Sequence, residues 1–470
     1  MKFAWIAAAA IALSSTLWAQ DDLEKLKQAA AREKQEEMEG LPKRVSDLEK
    51  KVAQQKLEDK STFRVYWGPG LTLETADKNF KLNIGGRLTF EAGVADYSDE
   101  DVQRRLSSTH DFEDGMLFRR ARFHIAGTIH QNIIFMMDID FGSTAEDFKD
   151  LFIGYGGIPL GFATPDFIVG RIKEPIGFEE LTSSRYITFP ERSMVTAVFA
   201  PAHAAGFTLR DTVAQLDEAI TWALGVYKSQ NQNADTGAAQ GGPGTLTDGR
   251  WEFAMRITAA PWYGRDGKEV IHVGGSFRTQ NPQGNTSFTA RPESRIVTFV
   301  GVYGGTGNFA ADNVDVNTYL NGELAAVYGP FWLFAELMQA EVTRDSKLNL
   351  DDPTFWGWHA AAGFFVTGET RPYKKSSATF DRVKPSKNLG DEGGYGAVEI
   401  AFRVSFLDLS SEGVNGNEHW GYNVVINWYL NPSTRVTLSY LIHHSEGTEV
   451  NSSNQDIDFG VFWIKFWIDY

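Results

Sequence analysis

Residues 458–470 read DFGVFWIKFWIDY, and their rhythm decides the fold. Phe462, Ile464, Phe466, Ile468 and Tyr470 fall at every second position. Successive side chains of an extended chain point to opposite faces, so these five share one face of a strand. A helix would gather residues three and four apart instead. The same period recurs upstream. Leu82, Ile84, Leu88, Phe90 and Val94 alternate with Lys81, Asn83, Arg87, Thr89 and Glu91. Val398, Ile400, Phe402, Val404 and Phe406 alternate with Glu399, Arg403 and Ser405. Trp420, Tyr422, Val424, Ile426, Trp428 and Leu430 alternate with Asn423 and Asn427. Each run has one apolar and one polar face, so each strand separates two media.

A soluble sandwich alternates in the same way. Three features favour a membrane barrel. Several runs last 10–14 residues, long for a sandwich strand and suited to a tilted membrane crossing. Aromatics sit near the ends of the runs, as in an interfacial girdle. The polar faces carry Arg, Glu, Asn and His, which suits a wet interior. A final strand ending on an aromatic resembles the signature read by the barrel-assembly machinery, an expected partner.

The pattern predicts an all-β fold: a sixteen-stranded antiparallel transmembrane barrel. Its strands are expected at about 80–94, 118–129, 133–141, 150–157, 166–173, 204–211, 219–228 and 251–261. The others are expected at 269–279, 317–328, 331–344, 354–367, 395–409, 419–430, 433–445 and 458–470. Residues 297–303 are read as part of a long loop. An even count puts both chain ends on the periplasmic side. Tight connections at His130-Gln131-Asn132, Gly329-Pro330 and Asn431-Pro432 fall there. Long connections at 95–117, 174–203, 229–250 and 280–316 fall outside. The connection 368–394 is long yet lands in the periplasm.

Composition is compatible. Among 470 residues, 42% are hydrophobic and 13% aromatic. Beyond the first twenty, no stretch reaches the ~18 apolar residues of a membrane helix. Barrel strands alternate, so they leave no such signal. With no cysteine, disulfides and thiolate metal sites are excluded. A formal charge of -16 is unsuited to general nucleic-acid binding. Lys2, an apolar core from Phe3 to Leu17, and Trp18-Ala19-Gln20 read as a secretory signal over residues 1–19. Residues 20–61 are charged. Leu41, Val45, Leu48 and Val52 are spaced 4-3-4, a coiled-coil seam, behind an interruption at Gly40-Leu41-Pro42. A periplasmic coiled-coil or helical stalk is expected there, with a solvated single helix or a flexible tail as alternatives. The barrel is expected over 62–470.

Several blocks resemble the phosphate-selective O/P porins. They are GLTLETADKNFKLNIGGRLTFEAGV (70–94), Phe118-Arg119-Arg120-Ala121-Arg122, GRIKEPIGFEELTSSRYITFPERS (170–193), FFVTGETRPYKKSSATFDRVKP (364–385), GYGAVEIAFRVSFLDLS (394–410) and WYLNPSTRVTLSY (428–440). The resemblance implies a homotrimeric barrel in outer-membrane lipid whose third loop, 174–203, folds inward and narrows the lumen. It implies passive diffusion of small anions, with phosphate held at the constriction and no cofactor. Arg87, Arg119, Arg120, Ser183, Ser184 and Arg192 would line that constriction. Asp150 would orient the bases.

The residue types support part of this. Guanidinium forks and hydroxyl donors suit phosphate. Arg120, Arg122 and His124 share the polar face of one strand, as Arg171 and Lys173 would on another. Arginine on a lipid face near the midplane would cost ~2–4 kcal/mol, so these bases are expected in the lumen or at its rim. Two readings stand for each: an anion contact, or an ordinary lumen charge paired with Asp138, Asp140 or Glu91. The sequence departs from the family at Glu180, where a lysine is expected. A carboxylate there would repel phosphate, while Arg122 and Lys173 add bases where the family is aromatic. Arg371, Lys374, Lys375, Arg382, Lys384 and Lys387 face a single acid, Asp381, and predict a cationic periplasmic vestibule. No nucleophile–base pair or metal-ligand spacing stands out, and an enzyme is not expected. The rival functions are a general or cation-preferring porin and a structural, envelope-tethering outer-membrane protein.

Overall fold

The computed structural model describes residues 23–32, 34–35, 41–52, 62–68, 70–97, 114–142, 147–161, 163–228, 251–282, 286–295, 305–307, 309, 313–450 and 453–470. The signal reading of residues 1–19, the loop 229–250 and the segment 297–303 lie outside them, as do parts of the loops 95–117 and 280–316.

Residues 23–32 and 41–52 are helical, in a compact unit of their own made of residues 1–64 and 75–77. Leu41, Val45, Leu48 and Val52 are all exposed on it. Among the described residues no helix is long and apolar enough to cross a membrane.

The remainder is a barrel of sixteen antiparallel strands. They are β1 (Phe80–Tyr97), β2 (Asp114–Ile129), β3 (Ile133–Asp140), β4 (Asp147–Tyr155), β5 (Asp166–Lys173), β6 (His203–Thr212), β7 (Ile220–Lys228) and β8 (Trp251–Gly264). The series continues with β9 (Glu269–Gln280), β10 (Val314–Tyr328), β11 (Phe331–Arg344), β12 (Thr354–Phe365), β13 (Ala397–Ser411), β14 (Val414–Asn431), β15 (Thr434–Val450) and β16 (Ser453–Asp469). Each pairs with the next, and β16 returns to β1 in a register running from Phe459↔Tyr97 to Asp469↔Arg87. Closure leaves no strand edge, the condition for a sheet to sit in lipid. A short strand, Gly70–Thr75, also pairs with the start of β1.

The alternation read from sequence appears as alternating exposure. On β16, Phe462, Phe466 and Ile468 are 47%, 46% and 44% exposed, while Val461, Trp463 and Lys465 are at or below 1%. Oily residues face outward and the charged face is sealed inside. Outward aromatics collect where strands meet the short turns: Phe80, Tyr155, Trp262, Tyr328, Phe331, Phe364 and Trp428 are all exposed. They form one ring of an interfacial girdle. At the opposite end the strands outrun the expected bounds. The β15–β16 ladder continues through a bulge to Val450↔Ser453. Polar hairpins there are held by backbone pairing, which leaves no hydrophobic trace.

Two segments enter the barrel from its two ends. Residues 174–202, between β5 and β6, carry two short helices, α1 (Phe178–Leu181) and α2 (Met194–Phe199). Residues 366–396, the long periplasmic-side connection, turn inward and form a small hairpin, Tyr373–Lys374 with Thr379–Phe380. This accounts for its length: it fills the interior. The two meet where Phe178 packs edge-on against Phe380 at 4.9 Å and Arg371 donates to the Tyr186 carbonyl.

Candidate functional site

The inward loop is held by charge. Gly177 caps α1 with φ 76°, in the left-handed region glycine favours, and a Cβ there would lie 2.9 Å from the Met338 methyl. This lets the first amides of α1 reach β11, where Glu336 accepts from Phe178 N–H at 2.6 Å and Glu179 N–H at 2.8 Å. Glu179 in turn accepts from Arg403 at 2.9 Å and from Ser193 N–H at 2.9 Å. Ligand-type atoms of Glu179, Glu336 and His359 lie within 4.8 Å of one another. Their carboxylate oxygens already accept these N–H groups, so the cluster acts as the anchor of the loop.

Further along, wall and hairpin donors take loop carbonyls in succession. Arg371 takes that of Tyr186, Arg435 that of Ile187 at 2.8 Å and Asn427 that of Thr188 at 3.1 Å. Lys465 takes that of Pro190 at 2.7 Å and Arg403 that of Glu191 at 3.0 Å. The loop is thereby laid against β13–β16, and the open space lies between it and β2–β4.

That space is lined by Arg119, Arg120, Arg122, Lys149, Lys173, Arg192, Arg291 and Arg295, against the carboxylates Glu180, Glu191 and Glu293. Two irregularities of the sheet concentrate the bases. Thr89 pairs with Arg120 and Phe90 with Phe118, so Arg119 is an inserted, bulged residue. The bulge breaks the alternation and turns both arginines inward. On β4 the register slips between Met137↔Leu151 and Ile139↔Phe148, which places Lys149 and Asp150 opposite Asp138 alone.

The expected residues divide as follows. Arg119, Arg120, Arg122, Lys173, Glu180, Ser184 and Arg192 line one cavity. Arg87 joins them by donating to Ser184 Oγ at 2.8 Å. Ser183 Oγ accepts only the Arg185 amide, at 3.4 Å. Asp150 lies 3.6 Å from His203 Nε2, so its neighbouring base is that ring rather than an arginine. Arg122 pairs with Asp140 at 2.7 Å and Asp138 at 3.7 Å, while Glu91 pairs with Lys465 at 2.5 Å. Arg171 donates to the Phe148 carbonyl at 2.8 Å.

Glu180 does not stand as a bare negative charge. Arg192 Nε lies 2.9 Å and Lys173 Nζ 3.0 Å from its oxygens. Burial alone would raise its carboxyl, but these two cations hold it below the ordinary range. Glu191 behaves alike: burial raises it, and Arg119, Arg120 and Lys465 together bring it well below.

Of the six expected vestibule bases, three are exposed: Lys374, Lys384 and Lys387. Arg371 is 1% exposed, 3.3 Å from Glu399 and stacked on Phe380 at 4.9 Å. Lys375 bonds Asp217 at 2.6 Å, and Arg382 lies 3.2 Å from Asp469. Those three latch the inserted hairpin to the wall.

Glu191, Arg185, Lys149, Arg291 and Arg295 were not anticipated. Arg185 donates to His124 Nδ1 at 2.8 Å. A guanidinium only donates, so that nitrogen accepts, and Nε2–H donates to Asn83 Oδ1 at 3.0 Å. His124 is a neutral bracket for Arg185.

A closed barrel with a charged, loop-narrowed interior is the architecture of a porin, a diffusion channel. The chain belongs to the family described as phosphate-selective porin O and P, whose model matches residues 82–468. It is a protein of the Gram-negative outer membrane. Porin O of Pseudomonas aeruginosa is 25% identical over 417 residues, 83% of this chain and 89% of that protein. An uncharacterized protein of Caulobacter vibrioides is 26% identical over 419 residues, 86% of this chain and 77% of that one. Among solved structures, an anion-selective porin from Comamonas acidovorans shares the fold at TM-score 0.50 and 10% identity, over 83% of this chain and all of that one.

Proposed function

We propose that the pore passes small anions in preference to cations and holds phosphate-class oxyanions at its constriction. One observation carries this: eight bases face three carboxylates around the narrow space, in a chain whose total charge is -16. Local sign decides which ion enters a pore. The neutralised state of Glu180 weakens the case for a cation-preferring pore. Arg87 and Ser184 supply the guanidinium and hydroxyl pair suited to phosphate oxygens. Lys374, Lys384 and Lys387 would draw anions to the periplasmic mouth. The protein works as a homotrimer, its exposed Leu41–Val52 seam covered by the same seam of two further copies.

The test is a reversal potential in a potassium chloride gradient across a planar bilayer, followed by titration with phosphate. Anion preference with phosphate block at micromolar to millimolar levels is expected. Potassium preference would overturn the reading.

A further inference from the structure

A second cavity, of about 500 Å³, lies between the barrel wall and the two inserted segments. It reaches the periplasmic ends of β5 and β6, at Asp166 and Thr212. The constriction space is smaller, about 100 Å³. Lys173 lines both, so the two adjoin. An apolar floor runs along one side of the larger cavity. Phe152 on β4 packs in the interior beside Ile168 and Ile172 of β5, and Leu181 comes from the end of α1. Phe152 and Leu181 keep part of their surface open, so the passage here presents hydrocarbon where the constriction presents charge.

The polar groups around this floor are engaged with protein partners. Thr208 pairs with the Tyr227 hydroxyl at 2.7 Å and Thr221 with Thr258 at 2.5 Å. Arg210 lies 3.4 Å from Asp166, Asp211 accepts the Thr164 and Thr212 amides, each at 2.7 Å, and Asp150 lies 3.6 Å from His203. Arg256 is held by Glu323 at 2.7 Å and donates to the Ser377 and Ala378 carbonyls at 3.2 and 2.9 Å. These last two bonds fix the inserted hairpin as the opposite side of the cavity. Lys374 on that hairpin is the exception. It lines the cavity, is exposed, and has no acidic partner among the described residues.

We propose that this cavity is a subsite for organic anions, solutes that carry a phosphate or carboxylate head on a compact apolar body. The body rests on Phe152, Ile168, Ile172 and Leu181, and the head meets the Lys374 ammonium. Removing apolar surface of both solute and floor from water drives the contact. Cavities of this size, with an apolar lining and a few polar groups, are the kind that hold small organic ligands. Inorganic phosphate has no apolar surface and gains nothing from such a floor. The constriction thus sorts solutes by charge, and the cavity next to it by their uncharged part. The inference rests on the anion-channel reading above.

Two measurements on the full chain test it. Phenyl phosphate and methyl phosphate carry the same head and differ in apolar body. In bilayers, phenyl phosphate should block chloride current about tenfold more tightly than methyl phosphate. Phe152→Gln and Leu181→Gln replace apolar surface with an amide, and either should bring the two solutes to within about threefold of each other. Equal block by both solutes in the unmodified channel, or a difference that both variants leave unchanged, would overturn the subsite and leave the channel reading intact. In crystals soaked with para-bromophenyl phosphate, anomalous bromine density is expected against Phe152 and Leu181. Density at the constriction alone, or none in the cavity, would likewise overturn the subsite. Potassium preference with no block by either solute would defeat the channel reading instead.

Discussion

Glu191 grips Arg119 with both carboxylate oxygens, at 2.7 and 2.9 Å, across the gap between the inward loop and the bulge of β2. This two-pronged pair sets how much positive charge the constriction shows. Arg119 is neutralised, and Arg120, 3.7 Å from the same carboxylate, is partly so. Glu191→Gln should therefore raise the chloride-to-potassium permeability ratio at least twofold. It should also lower the heat resistance of the folded barrel, since breaking a buried ion pair costs ~3–5 kcal/mol. A ratio that stays level or falls would show that Glu191 plays no part in selectivity.

Glu180 should act in the same direction on phosphate. With Glu180→Gln, Arg192 and Lys173 lose their common partner and become available to an oxyanion. A gain of about tenfold in phosphate block, ~1.4 kcal/mol, is expected. Dose–response curves of single-channel current would measure it. Weaker block in the variant would mean that Glu180 holds the two cations in their binding geometry.

Gly177→Ala tests the seating of the loop. The substitution forces a Cβ into a φ of 76° and against Met338 and Glu336. A strain of ~1–3 kcal/mol is expected. The contacts at risk are the two amide bonds to Glu336. Open-channel noise and mean conductance should both rise as the loop lifts, and a quiet channel of unchanged conductance would count against this anchor.

Acid should loosen the same loop, with a sign set by the depressed carboxyls of Glu180 and Glu191. A carboxyl lowered in the folded state stabilises it fully above its unfolded value, ~4.3, and loses that contribution as pH falls through the lower, folded value. Conductance and melting temperature should be flat from pH 7 to about 5 and change only below ~4. A transition centred near pH 6 would assign control to histidine instead.

The vestibule bases should act through space. Replacing Lys374, Lys384 and Lys387 with Gln should reduce anion conductance at ~0.01 M salt, where screening reaches only beyond ~30 Å, and have little effect at 1 M, where it acts within ~3 Å. Equal loss at both concentrations would point to a blocked or misfolded mouth.

The wall of this barrel was legible because its physics is local and periodic. Lipid outside and water inside write a two-residue rhythm onto Phe462–Tyr470, and it needs no knowledge of partners. The constriction was legible only in part. Alternation places Arg119 and Arg120 on opposite faces, and the bulge that brings both inside is set by the register with Thr89 and Phe90 on another strand. Family resemblance supplied Arg119; periodicity alone would have misplaced it. Glu191 and Arg185 stayed hidden because their roles depend on where a loop of no regular period comes to rest. Trp463 and Trp467 fall on the face opposite Phe462 and Phe466, and both are buried inside, as the alternation requires. The hairpin in residues 366–396 was visible only as an anomaly of length on the wrong side. Its six bases read together as a cationic vestibule because sequence does not show that Glu399 and Asp469 await two of them.

The row of loop carbonyls fastened by Arg371, Arg435, Asn427, Lys465 and Arg403 bears on dehydration. A bare alkali ion crosses a narrow passage when backbone oxygens replace the water it sheds. Here the oxygens of Ile187, Thr188, Pro190 and Glu191 are bonded to the wall and that of Tyr186 to the inserted hairpin segment. A potassium ion arriving at this loop cannot use these five oxygens in place of its waters, whereas an oxyanion meets the guanidinium N–H groups of the facing strands.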